Sequence, residues 1–141
     1  MSESTAIVAP VIALVCWHHV MWLWMYATRI PAIQSSGMVM DATRPSGEQM
    51  SMLPPSVRWK ADNYNHLFEA PVLFYAVALS LAVLGAGSGW NVTLAWLYVL
   101  ARVSHSIFQS TVNKIEVRFG LFVLSSLVLF ALTWNAARLV L

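Results

Sequence analysis

Three stretches of this chain carry no Asp, Glu, Lys or Arg: residues 4–28, 70–101 and 119–137. A helix that spans a bilayer needs roughly 20 mostly apolar residues, and these stretches are about that long or longer. In hydrocarbon every backbone N–H and C=O must be satisfied within the protein, so apolar runs of this kind become helices. The 141 residues are 59% hydrophobic and only 10% charged, against about 25% charged in an ordinary soluble domain. The fold expected is an all-α integral membrane protein of one domain, a bundle of four transmembrane helices at about 6–28, 61–84, 92–112 and 119–141. The 70–101 run is shared by two of them, separated by the glycine-rich turn GAGSGWN at 85–91.

The N-terminal run reads as a retained first span. Glu3 precedes it and no Lys or Arg does, and it continues through Trp17, Trp22, Trp24 and Tyr26, unlike the positively charged start and short apolar core of a cleaved signal. The single cysteine, Cys16, has no intrachain disulfide partner. The connection 29–60 is long and holds Pro31, Pro45, Pro54 and Pro55; loops of that length are functional or disordered. It carries Arg29, Arg44, Arg58 and Lys60, and the third connection carries Lys114 and Arg118. Because Lys and Arg concentrate in cytoplasmic loops, both connections are expected to face the cytoplasm and both termini the opposite side. No cluster of basic residues interleaved with aromatics points to nucleic acid.

Polar residues enter the apolar runs at defined positions. In ADNYNHLFEAP, Asp62, Asn65, His66 and Glu69 follow the i, i+3, i+4, i+7 spacing of one helix face. In the third span Tyr98, Arg102, His105, Ser106, Gln109 and Asn113 do the same. Each set fills an arc of roughly 100° at the basic end of its helix. A charge near the bilayer centre costs at least about 2.5–3.5 kcal/mol, so Glu69 is expected to pair with Arg102. Such a pair could serve only to hold the bundle together; two stripes reaching the interface fit a polar wedge for a soluble anionic ligand. Pro71 is expected to kink the second span and free a carbonyl. His18 and His19 point about 100° apart, poor geometry for one metal, and no metal site is expected.

The chain resembles the MAPEG family, the membrane-associated proteins of eicosanoid and glutathione metabolism, in a bacterial-type form. The resemblance covers most of the chain and rests on NYNHLFEAPVLFYA, ARVSHSIFQ, NKIEVRF and WNAARLV. It implies four-helix subunits assembled as a homotrimer, with cytoplasm-facing sites between subunits that take glutathione as co-substrate. By position, Glu69 would hold the amino end of glutathione, Arg102 and His105 would line the site, and Asn65, His66, Gln109 and Asn113 would complete its polar wall. Arg118 would be the catalytic residue that stabilises the thiolate. The chain departs from the family pattern at Asp62, where an arginine is common, at His66, at Gln109, at the placing of Pro71, and at Phe119 and Phe122, which thins the basic clamp for glutathione's carboxylates. The expected function is a membrane-bound glutathione transferase or peroxidase acting on hydrophobic small molecules, in contact with membrane lipids, and in the inner (plasma) membrane if bacterial. The alternatives are a non-catalytic subunit or scaffold that binds a lipid or a partner protein, and a small transporter built on Glu69, His66 and His105.

Overall fold

Once the hydrocarbon forces the apolar runs into helices, the proline and glycine positions decide where those helices start, break and turn. The computed structural model describes residues 3–141. After a 3-10 turn at Glu3–Thr5 come α1 (Val8–Ser36), α2 (Ser46–Ser51), α3 (Pro55–His66), α4 (Ala70–Val83), α5 (Trp90–Thr111) and α6 (Ile115–Val140). No strand occurs among the described residues. Among the described residues three stretches are long and apolar enough to cross a membrane: Val8–Ser36, Pro55–Val83 and Ile115–Val140. At 22 residues α5 is long enough too, but its polar stripe leaves it less apolar than the others.

The expected boundaries need two corrections. The helix of the first span does not end at Thr28; α1 runs on through Arg29 and Pro31 and stops only at Gly37, which adopts the left-handed φ of 64°. Most of the supposed long loop is therefore helical, as the end of α1, all of α2 and the start of α3. A charge marks where a helix leaves hydrocarbon, not where its hydrogen-bond ladder stops.

The second correction concerns the span expected at 61–84. It starts earlier, with Pro55 at the first helical position, and it breaks between His66 and Ala70. Pro71 has no N–H to return to the carbonyl four residues back, which is that of Leu67. The orphaned oxygen is taken by His18 of α1, whose Nε2 lies 2.7 Å away. His18 Nδ1 is 2.9 Å from the Leu14 carbonyl, but that carbonyl already has its helical partner in the His18 main-chain N–H. Nε2 donates to Leu67, and Nδ1 lies between the Leu14 carbonyl and the Tyr75 hydroxyl, which is 3.3 Å away. His18 is thus a buried strut, 8% exposed.

The helices pack with α5 against α6, α1 against α3 and α5, α3 against α5, and α4 against α6. The half of the bundle that holds the 85–91 turn is apolar. There Ile7, Leu14, Phe74, Leu81, Ala95 and Leu132 are buried together, and Phe74 stacks on Tyr98 at 4.4 Å and 16°. The turn itself is fastened to the start of the chain by Ile7 N–H donating to Gly87 C=O at 3.0 Å. Gly87 has no room for a side chain: a Cβ there would collide with the Ser4 carbonyl oxygen and lie 2.8 Å from Ile7 Cγ2. Asn135 of α6 donates to Asn91 at 2.8 Å, and Asn91 to the Ala86 carbonyl at 2.9 Å.

Removing the strut should expose its purpose. His18→Ala leaves the Leu67 carbonyl unsatisfied and is expected to cost about 1–3 kcal/mol in chemical unfolding of the detergent-solubilised protein. Adding Pro71→Ala restores an N–H to that carbonyl and should recover a large part of the loss. A double variant no more stable than His18→Ala would show that the break is not held in this way.

Candidate functional site

The other half of the bundle is polar inside. On α5, Tyr98, Arg102, His105, Ser106 and Gln109 are all buried, whereas Trp96, Leu97, Leu100, Ile107 and Phe108 face outward. A helix in lipid turns its apolar residues to the acyl chains and its polar ones to its neighbours, and the α5 stripe obeys this. On α3 the expected stripe is turned the other way: Asp62, Asn65 and Glu69 are exposed and His66 is half-buried. The buried polar residues of α3 are Lys60 and Asn63, which sequence reasoning passed over. Lys60, Asn63 and Leu67 share the i, i+3, i+7 spacing too, so the signal was present but competed with a longer polar stripe.

Asn63 and Trp17 meet on Ser106. Asn63 Nδ2 donates to the Ser106 hydroxyl oxygen at 2.6 Å and Trp17 Nε1 at 2.9 Å, which knots α3, α1 and α5 together. Lys60 Nζ reaches the Ser56 carbonyl at 2.7 Å and the Ser110 carbonyl at 3.4 Å, and sits 5.1 Å above the Trp24 ring.

Arg102 is 0% exposed. Its Nη2 donates to the His66 carbonyl at 3.4 Å, while Nε and Nη1 have no partner among the described residues. The ion pair expected with Glu69 does not form. Glu69 Oε2 accepts instead from His66 Nδ1 at 2.7 Å, and its side chain is 68% exposed. The cause is the helix break: Glu69 lies between α3 and α4 with φ −90° and ψ −98°, so its side chain leaves the face that a continuous helix would have aimed at α5. His66 stands between the two charges. Its carbonyl takes Arg102, its ring takes Glu69, and the same ring lies 5.3 Å from that of His105 and 6.1 Å from that of Phe122.

Beside this cluster is a cavity of about 370 Å3 lined by His105, Ile115, Arg118, Phe119 and Phe122. Arg118 is held over it by Asn113. Asn113 adopts φ 54°, a left-handed conformation that asparagine tolerates better than most side chains. Its N–H closes α5 on the Phe108 carbonyl at 2.7 Å, and its Oδ1 accepts from Arg118 Nη1 at 2.6 Å. Arg118 Nε and His105 Nδ1 are buried without a partner among the described residues. Arg118 and His105 thus border a space otherwise walled by Phe and Ile, which sets a cation beside an apolar surface.

The expected site residues divide. His105 and Arg118 share the cavity; Asn113 positions Arg118; His66, Glu69 and Arg102 form the adjoining chain of contacts. Gln109 is buried with Oε1 unpartnered. Asn65 lies elsewhere, in a separate cavity of about 520 Å3 with Arg29, Arg58 and Asp62. Among the described residues no three His, Cys, Asp or Glu side chains gather as metal ligands.

Compared with known proteins, residues 7–138 match the family model of the MAPEG family, nearly the whole chain. Comparisons with curated proteins and with solved structures return no match.

The Ser106 knot makes a sharp prediction. Ser106→Ala strands a buried donor on Asn63 and a half-buried one on Trp17, and should lower stability by about 1–3 kcal/mol. Ser104→Ala, on the exposed side of the same helix, should stay within about 0.5 kcal/mol. Unfolding titrations of the two variants side by side provide the check.

Proposed function

The chain belongs to the MAPEG family, membrane proteins associated with glutathione, and from that premise we propose that it joins glutathione to apolar electrophiles, or reduces lipid hydroperoxides with it. The observation that carries this reading is the cavity that Arg118 and His105 share with Phe119 and Phe122. A thiol titrates near 8.5 and only its thiolate is a good nucleophile. A guanidinium at hydrogen-bond distance favours the anion and lowers that value. Arg118 serves this role, with Asn113 fixing its direction. The thiolate sulfur attacks the electrophilic carbon, a C–S bond forms, and the leaving group departs with its electron pair. The electrophile approaches over Phe119, which is 65% exposed, and Phe122, both on the outer face of α6.

Arg102, Glu69, His66 and Gln109 complete the binding surface in this proposal. Glu69 projects outward with its carboxylate exposed, as a group that takes the ammonium of a peptide at a junction between subunits would. A homotrimer of four-span subunits, α5 being the fourth span, supplies that junction. The proposed orientation puts the α5–α6 connection and residues 37–54 in the cytoplasm and both termini outside. A non-catalytic, partner-binding role is favoured by one observation: Asn65 and Asp62 line a different cavity from Arg118, so the clamp around a glutathione molecule is incomplete within one chain.

Conjugation of glutathione to chlorodinitrobenzene by purified protein in detergent tests the proposal. Arg118→Ala is expected to lower kcat/KM by about 10²-fold, the scale of losing one charge-stabilising donor. The rate should rise with pH through the depressed thiol pKa, so removing Arg118 moves that limb upward, toward about 8.5. Neither turnover nor calorimetric glutathione binding, with indifference to Arg118→Ala, would leave the non-catalytic role.

A further inference from the structure

The second cavity, of about 520 Å3, has a chemistry of its own. Arg29, about two turns before the end of α1, and Arg58, Asp62 and Asn65 of α3 line it, with Ile33 and Met50 among its apolar members. The Nε of Arg29 and that of Arg58 are buried without a partner, and neither guanidinium forms an ion pair among the described residues. Two like charges facing one space repel each other, and each has lost part of its hydration. An anion with several oxygens relieves both penalties, and the guanidinium fork matches phosphate geometry. Asp62 also faces this space and pairs with neither arginine among the described residues. With two cations and one anion around it, the cavity is complementary to a zwitterion.

Depth narrows the choice. Arg29 lies 21 residues beyond Val8 on α1, about 31 Å along the axis, and the hydrocarbon core is about 30 Å thick. Trp22 and Tyr26, one to two turns below, are exposed with their rings 5.1 Å apart, as aromatic residues are where hydrocarbon meets headgroups. The cavity therefore opens at phosphate level, and Ile33 and Met50 suit the first methylenes of a lipid. No aromatic ring lines it, which disfavours a quaternary ammonium; the Asp62 carboxylate and the Asn65 amide oxygen call for a cation with N–H donors.

We infer that the Arg29–Arg58–Asp62 cavity binds a phosphoethanolamine group, its phosphate on the two guanidiniums and its primary ammonium on Asp62, with Asn65 as a second acceptor. The group could arrive on a phospholipid or as a water-soluble phosphoethanolamine ester; the recognition is the same. The inference requires only the membrane-spanning fold and is separate from the cavity assigned to the thiolate.

Delipidated protein in detergent, titrated with phosphatidylethanolamine, phosphatidylglycerol or phosphatidylcholine of matched acyl chains and read by native mass spectrometry, tests it. Phosphatidylethanolamine should bind best. The Arg29→Gln/Arg58→Gln variant should lose affinity for phosphatidylethanolamine and phosphatidylglycerol alike, by about tenfold or more. Asp62→Asn, at an exposed position and so without a folding cost, should abolish the preference for phosphatidylethanolamine over phosphatidylglycerol while keeping phosphate binding. Competition by glycerophosphoethanolamine at equal concentration assigns the site to a soluble ester, and its failure to compete assigns the site to the bilayer lipid. Equal binding of the three lipids, an unchanged preference in Asp62→Asn, or displacement of phosphatidylethanolamine by glutathione overturns the inference. None of these readouts depends on turnover.

Discussion

The carbonyl of Leu67, released by Pro71 and captured by His18, is the interaction on which the arrangement of the second span depends. A continuous helix from Pro55 to Val83 would carry one face along its whole length. The break lets the two halves differ. Below it, α3 packs polar residues against α1 and α5; above it, α4 contributes Phe74, Ala78 and Leu81 to an apolar core. An unsatisfied carbonyl in a region without water would cost too much to persist, so the break can exist only where a donor from another helix reaches it. His18 is that donor, and Tyr75 supports its ring.

The polar half of the bundle follows from the same break. Because Glu69 turns outward, Arg102 is left buried with only the His66 carbonyl as a partner. A buried guanidinium carries a penalty of several kcal/mol, which the Ser106 knot and the stacked Phe74–Tyr98 pair must offset for the fold to hold. Arg118, Arg29 and Arg58 also keep buried nitrogens without partners. These groups cluster at one end of the molecule and border two separate cavities. Such a distribution suits a protein whose stabilising apolar half supports a polar half left open to ligands.

Much of this was legible in the linear chain. Charge-free runs determined helices in a membrane, because hydrocarbon offers the backbone no other partner. The α5 stripe was legible because Arg102, His105, Ser106 and Gln109 recur at helical spacing and a lipid-facing helix must turn them inward. Pro71 announced a broken ladder. Helix ends were less legible: Arg29 and Pro31 looked like a boundary, but a ladder continues through the interface wherever its carbonyls find donors. On α3, two sets of polar residues had equally good spacing, and periodicity alone cannot say which face meets a neighbour.

The order of residues was enough for the class of fold, the inward face of α5 and the residue types available for binding an anion. It took the packing of the helices to settle that Glu69 bonds His66 instead of Arg102, that Asn63 and not Asn65 is buried, and that Asn65 belongs to the Arg29–Arg58 cavity. The reason is physical. Periodicity orders residues around one axis, whereas the partner of each depends on the angle and depth at which two axes meet, and here those were set by a hydrogen bond between residues 49 positions apart.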